Sequence, residues 1–199
     1  MGLIMSKDIA NLILSTLFHE KECGKLMVSR SGRLLQRYDK EGLRQVVGCV
    51  PYRFTKRKSD EFSCVEDLEV LLISSQKSQR MMFPKGGWES DENMEDAALR
   101  ETIEEAGVVG KIGKILGKWR YLSKRESIVH EGYMFPLLVS EELDLWPEKN
   151  LRNRQWMSVA QAREACQSLW MREALDELVA RQINLKQNEE KKVEEAKCT

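Results

Sequence analysis

The sequence predicts an α/β fold, in which β-strands and α-helices alternate along the chain. Apolar runs of strand length recur between residues 44 and 139, a capped helical segment interrupts them at 94–106, and a second helical pattern begins near residue 158. With 199 residues, of which 42% are hydrophobic, the chain is long enough for one domain with a substantial core. This composition excludes an intrinsically disordered or collagen-like protein.

Strands are predicted where Val, Leu and Ile cluster, at residues 44–54 and 68–74. Residues 108–123 contain three glycines and are expected to form short strands separated by turns. A further strand is predicted over 131–139. Because Pro136 cannot donate a ladder hydrogen bond, that strand is expected at a sheet edge or a bulge.

Ser158 and Gln161 predict a capping box at the start of one long helix, whose buried stripe includes Leu175 and Leu178. On this basis the main domain spans residues 35–186. It is preceded by an N-terminal extension, 1–34, with a short amphipathic helical pattern over 9–18. It is followed by a charged tail, 187–199, which is expected to be flexible.

Cysteine usage and hydropathy limit the class of protein. Five scattered cysteines with no CxxC pair indicate reduced intracellular thiols rather than a disulfide framework or a zinc site. No apolar run reaches the roughly 18 residues that span a bilayer, so no membrane span is expected. The N-terminal segment has acidic residues and no Arg before Arg30, unlike a transit peptide. The expected location is the cytosol or nucleus, with the mitochondrion as the alternative.

The formal net charge of zero hides a strong segregation of charge. Residues 24–58 contain ten basic and two acidic residues, a net charge of +8. Residues 89–105 contain eight acidic residues and one Arg, a net charge of −7. The overall balance argues against nucleic acid as a partner. The two concentrations are either solvated faces or a metal cluster beside an anion-binding groove, and composition does not choose between them.

The acidic segment contains the most informative pattern in the chain. Asn93 is a good N-cap and Gly107 a good C-terminal cap for a helix over 94–106. Three glutamates of that helix stand at positions i, i+3 and i+4, which places them on one face. Their mutual repulsion is relieved by a hard divalent cation with oxygen ligands, such as magnesium. They are Glu101, Glu104 and Glu105.

The stretch FPKGGWESDENMEDAALRETIEEAGV resembles the Nudix box, G-x5-E-x7-R-E-U-x-E-E-x-G-U, in which U is a bulky aliphatic residue. One position departs from it, since Thr102 stands at the first U site. Thr is similar in size to Val, so a small effect is expected. The matching residues are Gly86, Glu92, Arg100, Glu101, Glu104, Glu105, Gly107 and Val108.

Further segments, among them QRYDKEGLRQVVGCVPYRF and LWPEKNLRNRQWMSVAQA, resemble plant Nudix proteins allied to diphosphoinositol polyphosphate phosphohydrolases. The resemblance implies the Nudix fold, a mixed β-sheet sandwiched between α-helices. It also implies hydrolysis of a diphosphate linked to another group. Within this branch the substrates are inositol pyrophosphates and diadenosine polyphosphates, which are small, highly anionic molecules.

The resemblance assigns roles to matching positions. Glu101 and Glu105 would ligate Mg²⁺, for which Mn²⁺ is a possible substitute, together with the backbone carbonyl of Lys85. Glu104 would be the general base that activates the attacking water. Lys85 itself stands where the branch often has glycine, and it places an ammonium near the site. Four residues would hold the loop and helix together: Gly86, Glu92, Arg100 and Gly107.

Substrate binding is assigned to basic and hydroxyl residues near the presumed groove. Arg44 matches a basic phosphate-contacting position of the resembling enzymes. The alternatives are a hydrolase of other nucleoside diphosphate derivatives or capped RNA, and a non-catalytic Nudix module that binds a polyphosphate. The candidate substrate-binding residues are Arg44, Ser74, Ser75, Lys77, Lys124, Arg125, Arg152 and Arg154.

Overall fold

The computed structural model describes residues 29, 30, 32, 34–55, 67–76, 78–123 and 128–197. The helix expected over 9–18 lies outside these residues, as do Lys77, Lys124 and Arg125. The described strands are β1 (Arg44–Phe54), β2 (Leu68–Ser75), β3 (Ser78–Met82), β4 (Lys85–Gly87), β5 (Val108–Ile112), β6 (Gly117–Ser123), β7 (Ile128–Glu142) and β8 (Arg154–Ser158). The described helices are α1 (Met94–Ala106), α2 (Val159–Ala165) and α3 (Leu169–Lys197).

The strands form one mixed sheet with the order β3-β2-β1-β7-β5. β1 and β7 run parallel over nine paired positions, from Arg44 opposite His130 to Tyr52 opposite Leu138. The other neighbours in this order pair antiparallel, and three further antiparallel pairs join β4 to β1, β6 to β7 and β8 to β2. The sheet is therefore mixed, as the resemblance implies.

Pro136, predicted at a sheet edge or a bulge, lies in β7, which is a central strand, and the register shift between β5 and β7 falls at Val109 and Gly110. On one side β7 pairs with β1, and on the other its partner changes from β6 to β5. The carbonyl of Pro136 accepts from Gly113 within the turn that joins those two strands. The N–H and C=O of one strand residue point the same way, so the missing donor also faces this turn. The sheet tolerates proline here because no continuous ladder needs that N–H.

Both faces of the sheet are covered by helices, which gives an α/β/α sandwich. On one face, Ala97 and Ala98 of α1 pack against Val47, Cys49 and Phe135. On the other, α2 and α3 cover a larger core of aliphatic and aromatic side chains, including Val50, Leu72, Met134, Leu175 and Leu178. Odd- and even-numbered residues of β1 face opposite helices, as the two-residue period of a strand requires.

Helix α1 begins and ends where the sequence predicts. Asn93 accepts a hydrogen bond from the N–H of Asp96 at 2.8 Å, as an N-cap does. Gly107 adopts φ +62° at the C-terminus, and its N–H donates to the carbonyl of Ile103. Thr102, the departure from the box, is fully buried, and its hydroxyl donates to the carbonyl of Ala98 at 2.7 Å. The internal bond satisfies the hydroxyl, so this departure leaves the helix intact.

The predicted single long helix is in fact two helices. The capping box of Ser158 and Gln161 is confirmed, but α2 ends at Ala165. Cys166 is extended and forms a bridge with Met81 of β3, and the chain resumes as α3 from Leu169. The helix stops because this buried cysteine takes up a sheet position.

The charged segment after Gln187, expected to be flexible, continues α3 to Lys197. Salt bridges between residues four apart, such as Lys186 with Glu190 at 3.9 Å, stabilise the surface of this part of the helix. Among the described residues, no helix is long and apolar enough to cross a membrane.

Candidate active site

The three glutamates of α1 share one side of the helix, where it faces the loop at β4. Glu104 and Glu105 are buried, with exposures of 5% and 7%, and the Glu101 side chain is 13% exposed. Acidic side chains are rarely this buried unless cations or hydrogen-bond donors compensate them. The compensating groups come from a close loop and from two arginines.

The loop that contains β4 approaches the carboxylates closely. A Cβ atom at Gly86 would lie 1.9 Å from a carboxylate oxygen of Glu101, so a side chain does not fit there. The N–H of Lys85 donates to Oε2 of Glu105 at 2.8 Å. A Cβ atom at Gly48 of β1 would lie 2.6 Å from Cβ of Lys85, so a glycine in β1 also permits the approach. Sequence analysis did not single out Gly48.

Arg100 ties the loop to the helix. Its guanidinium binds Glu92 at 2.7 Å, Glu101 at 2.8 Å and Glu104 at 3.4 Å, and it donates to the carbonyl of Gly87 at 3.0 Å. The side chain is only 11% exposed. A planar guanidinium with several donors suits this role, because it bridges more acceptors than an ammonium does.

Arg152 makes the corresponding contacts at Glu105. It pairs with the carboxylate of Glu105. It also pairs with Glu148 at 2.5 Å and donates to the carbonyl of Ser74 at 3.2 Å. Ser74 is buried at the end of β2, and its hydroxyl accepts from the N–H of Asn153 at 2.9 Å. Arg152 and Ser74, two predicted substrate contacts, therefore lie beside the carboxylates of α1.

The carboxylates retain an excess of negative charge despite these arginines. Burial, reinforced by Glu101, raises the pKa of Glu104 to about 7. Burial also raises the pKa of Glu105 to about 7, against the effect of Arg152. The pKa of Glu101 is raised by burial as well, with Arg100 opposing the shift. A bound cation would lower all three values by stabilising the ionised forms.

The donor set fits a hard divalent cation. Glu101 and Glu105 supply carboxylate oxygens, and the carbonyl of Lys85 belongs to the loop segment whose N–H already contacts Glu105. Among the residues that the structure describes, no three carboxylate, His or Cys side chains already converge at metal-binding geometry. Arg100 pairs with Glu101, and Arg152 pairs with Glu105.

Arg30 reaches the same carboxylates from outside the domain predicted from the sequence. Its backbone N–H lies 3.3 Å from Oε2 of Glu104, and its guanidinium binds Glu89 at 2.6 Å and Asp91 at 3.0 Å. Sequence reasoning did not assign a role to Arg30. The only available signal was its membership of the basic segment.

Arg44, at the start of β1, donates from Nε to Oε1 of Gln36 at 2.9 Å. The Gln36 amide lies over Gly87, where a Cβ atom would be 1.7 Å from Oε1. Arg44 is thus placed next to the loop at β4. Ser75 is half-buried at the end of β2, one residue beyond Ser74.

Arg154 lies at the C-terminal end of α1, away from this loop. Its guanidinium donates to the carbonyls of Ala106 at 3.0 Å, Gly107 at 2.8 Å and Leu143 at 3.0 Å. It also stacks 4.2 Å from the ring of Trp146. These contacts give Arg154 a structural role, because they tie the C-terminal end of α1, where Ala106 would lack an intrahelical donor, to Leu143.

The fold and the carboxylate site have a match among known families. The NUDIX domain matches residues 43–181, which is more than half of the chain. The chain belongs to the Nudix family. Nudix hydrolases generally use divalent metal ions, which agrees with the oxygen donors described above.

Several curated proteins are similar to this Nudix chain. Nudix hydrolase 4 of Arabidopsis thaliana is 59% identical over 160 residues, 80% of this chain and 75% of the relative. Nudix hydrolase 18, mitochondrial, of the same plant is 58% identical over 155 residues, covering 78% of this chain and 86% of the relative. Diphosphoinositol polyphosphate phosphohydrolase 3-alpha of Mus musculus is 37% identical over 128 residues, 63% of this chain and 70% of the relative.

A solved structure supports the fold. The Ap4A hydrolase of C. elegans in a binary complex superposes with a TM-score of 0.54, covering 70% of this chain and 98% of that one. Because the two sequences are 22% identical, this likeness concerns the Nudix fold alone. The activity supported for the chain is that of a Nudix hydrolase.

Proposed function

We propose that this Nudix hydrolase is a magnesium-dependent enzyme that cleaves the diphosphate of inositol pyrophosphates and also accepts diadenosine polyphosphates. The observation that supports the proposal is the set of basic residues around the glutamates of α1: Arg152 pairs with Glu105, Lys85 contacts Glu105 through its N–H, and Arg44 lies next to the loop at β4. We call these three residues the basic rim. Cations next to a metal-binding carboxylate set favour a substrate with many phosphate groups over a neutral one.

The positions of the residues in the carboxylate site suggest the role of each. Glu101, Glu105 and the carbonyl of Lys85 would hold magnesium, which when bound neutralises diphosphate oxygens and acidifies a coordinated water. Glu104 accepts the proton of the attacking water. The water oxygen forms a new bond to phosphorus while the bridging P–O bond breaks, and the electron pair leaves with the departing phosphate. Arg100 keeps Glu104 oriented through its 3.4 Å contact.

The candidate substrates differ in how their negative charge is distributed. Inositol pyrophosphates carry phosphates around the whole ring, so several cations contact one compact molecule. A dinucleotide presents its charge along a chain and needs a surface for each base. The mouse relative is named as a diphosphoinositol polyphosphate phosphohydrolase, which supports the first class.

The first experiment is phosphate release from inositol pyrophosphate isomers, diadenosine hexaphosphate and ADP-ribose, with magnesium present. Preference for one inositol pyrophosphate is the expected result. Preference for a nucleotide would keep the Nudix reaction and overturn the substrate assignment. Tight binding without turnover of any member would instead indicate a non-catalytic polyphosphate-binding module.

Charge reversal at the basic rim sharpens that test. Arg44→Glu should impair hydrolysis of an inositol pyrophosphate more than hydrolysis of a dinucleotide. Arg80→Glu is the matched control, because Arg80 is exposed on β3 and its side chain forms no hydrogen bond or ion pair with the described residues. Equal losses on both substrates would show that Arg44 does not discriminate.

The proposed compartment is the mitochondrion. One relative at 58% identity is named as mitochondrial, whereas the first 34 residues lack the Arg-rich character of a transit peptide. A fluorescent protein fused to the C-terminus of the full chain, imaged with a mitochondrial marker, tests this. A cytosolic or nuclear signal would overturn it.

A further inference from the structure

We propose that Glu148 is a positioning residue for the Nudix reaction. It anchors one side of the Arg152 guanidinium, so that the other side can exchange its contact with Glu105 for a phosphate of the substrate when a divalent cation binds that carboxylate. Glu148 lies in the loop between β7 and β8, outside the helix that carries the three glutamates. The inference rests on the proposed function only for the identity of the substrate.

The guanidinium of Arg152 lies between two carboxylates. Its Nε donates to Oε2 of Glu148 at 2.5 Å, and its Nη2 donates to Oε1 of Glu105. Its Nη1 donates to the carbonyl of Ser74 at 3.2 Å. Because a guanidinium has five N–H donors, each Nη retains one that contacts no residue in the described part of the chain. Arg152 can therefore bind a further acceptor without leaving Glu148.

Glu148 is itself held against helix α1. Its backbone N–H donates to the carbonyl of Glu104 at 3.1 Å, and its carbonyl accepts from the N–H of Leu151 at 2.9 Å. The side-chain amide of Gln76 donates to Oε2 of Glu148 at 3.1 Å. The Glu148 side chain is only 14% exposed. The position of its carboxylate is therefore set by contacts that do not involve the Arg152 side chain.

The two carboxylates that Arg152 contacts differ in what else they bind. Glu105 is a proposed metal ligand, and its Oε2 already accepts from the N–H of Lys85. Arg152 must therefore share Glu105 with a divalent cation, whereas Glu148 remains available to its Nε. When Nη2 is released from Glu105, the contact with Glu148 keeps the guanidinium beside the cation. There it can bind a phosphate oxygen through a charge-assisted hydrogen bond.

The sign of the effect separates positioning from simple electrostatics. A carboxylate near an anion site repels the anion, so neutralising Glu148 would tighten phosphate binding if only its charge mattered. Positioning predicts the opposite result. Without the Glu148 carboxylate, Glu105 becomes the only carboxylate partner of Arg152 among the described residues, so the guanidinium stays on Glu105 and phosphate binding weakens.

The experiment measures binding without turnover. The probe is methylenediphosphonate, a diphosphate analogue whose P–C–P bridge cannot be hydrolysed, titrated by calorimetry at a magnesium concentration that saturates each variant. We expect Glu148→Gln to weaken probe binding by about tenfold, a typical effect of losing one charged partner of a hydrogen bond. Glu141→Gln is the matched control, because Glu141 is exposed on β7, and it should bind the probe as the wild type does.

A double-mutant cycle tests whether Glu148 acts through Arg152. In Arg152→Met no guanidinium remains to be positioned, so adding Glu148→Gln should change the probe affinity by less than about twofold. Arg152→Gln, whose amide can still donate to a carboxylate, is the second background should Arg152→Met not fold. With an inositol pyrophosphate as substrate, Glu148→Gln should raise KM and leave kcat within about twofold of the wild type.

Several results would overturn the proposal: unchanged or tighter probe binding in Glu148→Gln, additive losses in the double mutant, an equal loss in Glu141→Gln, or no probe binding by the wild type. A fall in kcat with an unchanged KM would also overturn it. Should Glu148→Gln melt below the assay temperature, Glu148→Asp replaces it with the same expected loss. That variant keeps the charge and withdraws the carboxylate from Arg152 by one methylene.

Failure of the proposed function gives a different result. A wild type that hydrolyses no inositol pyrophosphate, yet binds methylenediphosphonate with the coupling between Glu148 and Arg152, would contradict the substrate assignment alone. A wild type that hydrolyses inositol pyrophosphates, with probe binding independent of Glu148, would contradict the Glu148 proposal alone.

Discussion

The backbone N–H of Arg30 donates to Oε2 of Glu104 at 3.3 Å, while Arg100 contacts Oε1 of the same carboxylate at 3.4 Å. The two oxygens of Glu104 are thus held by residues from different parts of the chain. Arg30 precedes the NUDIX match, which begins at residue 43. The environment of the proposed base is therefore completed by a segment outside the family domain.

Replacing Arg30 tests this relationship. The hydrogen bond from Arg30 lowers the pKa of Glu104 against the larger effect of burial. Arg30→Ala removes the anchors on Glu89 and Asp91, so it should release that hydrogen bond and raise the pKa further. The acidic limb of the pH–rate profile should move to higher pH. Arg80→Ala should leave the profile unchanged, and an unshifted limb in Arg30→Ala would show that the contact does not tune Glu104.

Glu104→Gln should lower kcat by about 10²- to 10⁴-fold, because an amide cannot accept the proton of the attacking water. Two properties should stay close to those of the wild type: the melting temperature, and the affinity for methylenediphosphonate, a diphosphate analogue that cannot be hydrolysed. Glu95→Gln is the control, since Glu95 is an exposed residue in the first turn of the same helix. Near-normal turnover by Glu104→Gln would mean that another group is the base.

Glu101→Gln should raise the magnesium concentration needed for half-maximal activity, because it removes one anionic ligand. The measurement is a magnesium titration of initial rates, with Glu95→Gln again as the control. An unchanged titration curve would remove Glu101 from the ligand set.

Stability of the metal-free protein should fall as pH rises from about 4.5 to about 7. The pKa values of Glu104 and Glu105 rise from 4.5 to about 7 on folding, so in this range the folded state binds more protons than the unfolded state. Magnesium binds the ionised carboxylates, so it should raise the melting temperature more at about pH 8 than at about pH 5. Thermal denaturation with and without magnesium at both pH values tests this, and equal shifts would contradict it.

Arg154→Met should lower the melting temperature and leave the KM unchanged, because Arg154 binds two carbonyls at the end of α1 and the carbonyl of Leu143. Losing the guanidinium removes three of its hydrogen bonds, although the carbonyl of Gly107 still accepts from the N–H of Leu143. The check is thermal denaturation together with steady-state kinetics on one inositol pyrophosphate. A higher KM with an unchanged melting temperature would restore the sequence-based assignment of Arg154 to substrate binding.

Local signals predicted some elements residue by residue. The caps at Asn93 and Gly107 defined α1 at both ends, because capping depends on side chains and backbone angles within a few residues. The position of Pro136 in the sheet was predicted wrongly, because it depends on contacts with distant parts of the chain. Whether its missing N–H matters depends on the turn between β5 and β6, which no pattern around residue 136 reveals. The break at Cys166 likewise depends on a bridge to Met81, far away in the sequence.

The sequence by itself determined the α/β class, helix α1, the shared face of Glu101, Glu104 and Glu105, and membership of a family with a recognisable box. Only the tertiary structure decided which basic residues meet those carboxylates: Arg30, Arg100 and Arg152 contact them, and Arg154 is placed elsewhere. Periodicity and capping act over a few residues and can be read from a chain. An ion pair across 47 positions and a backbone hydrogen bond across 74 positions depend on how the whole sheet brings its loops together.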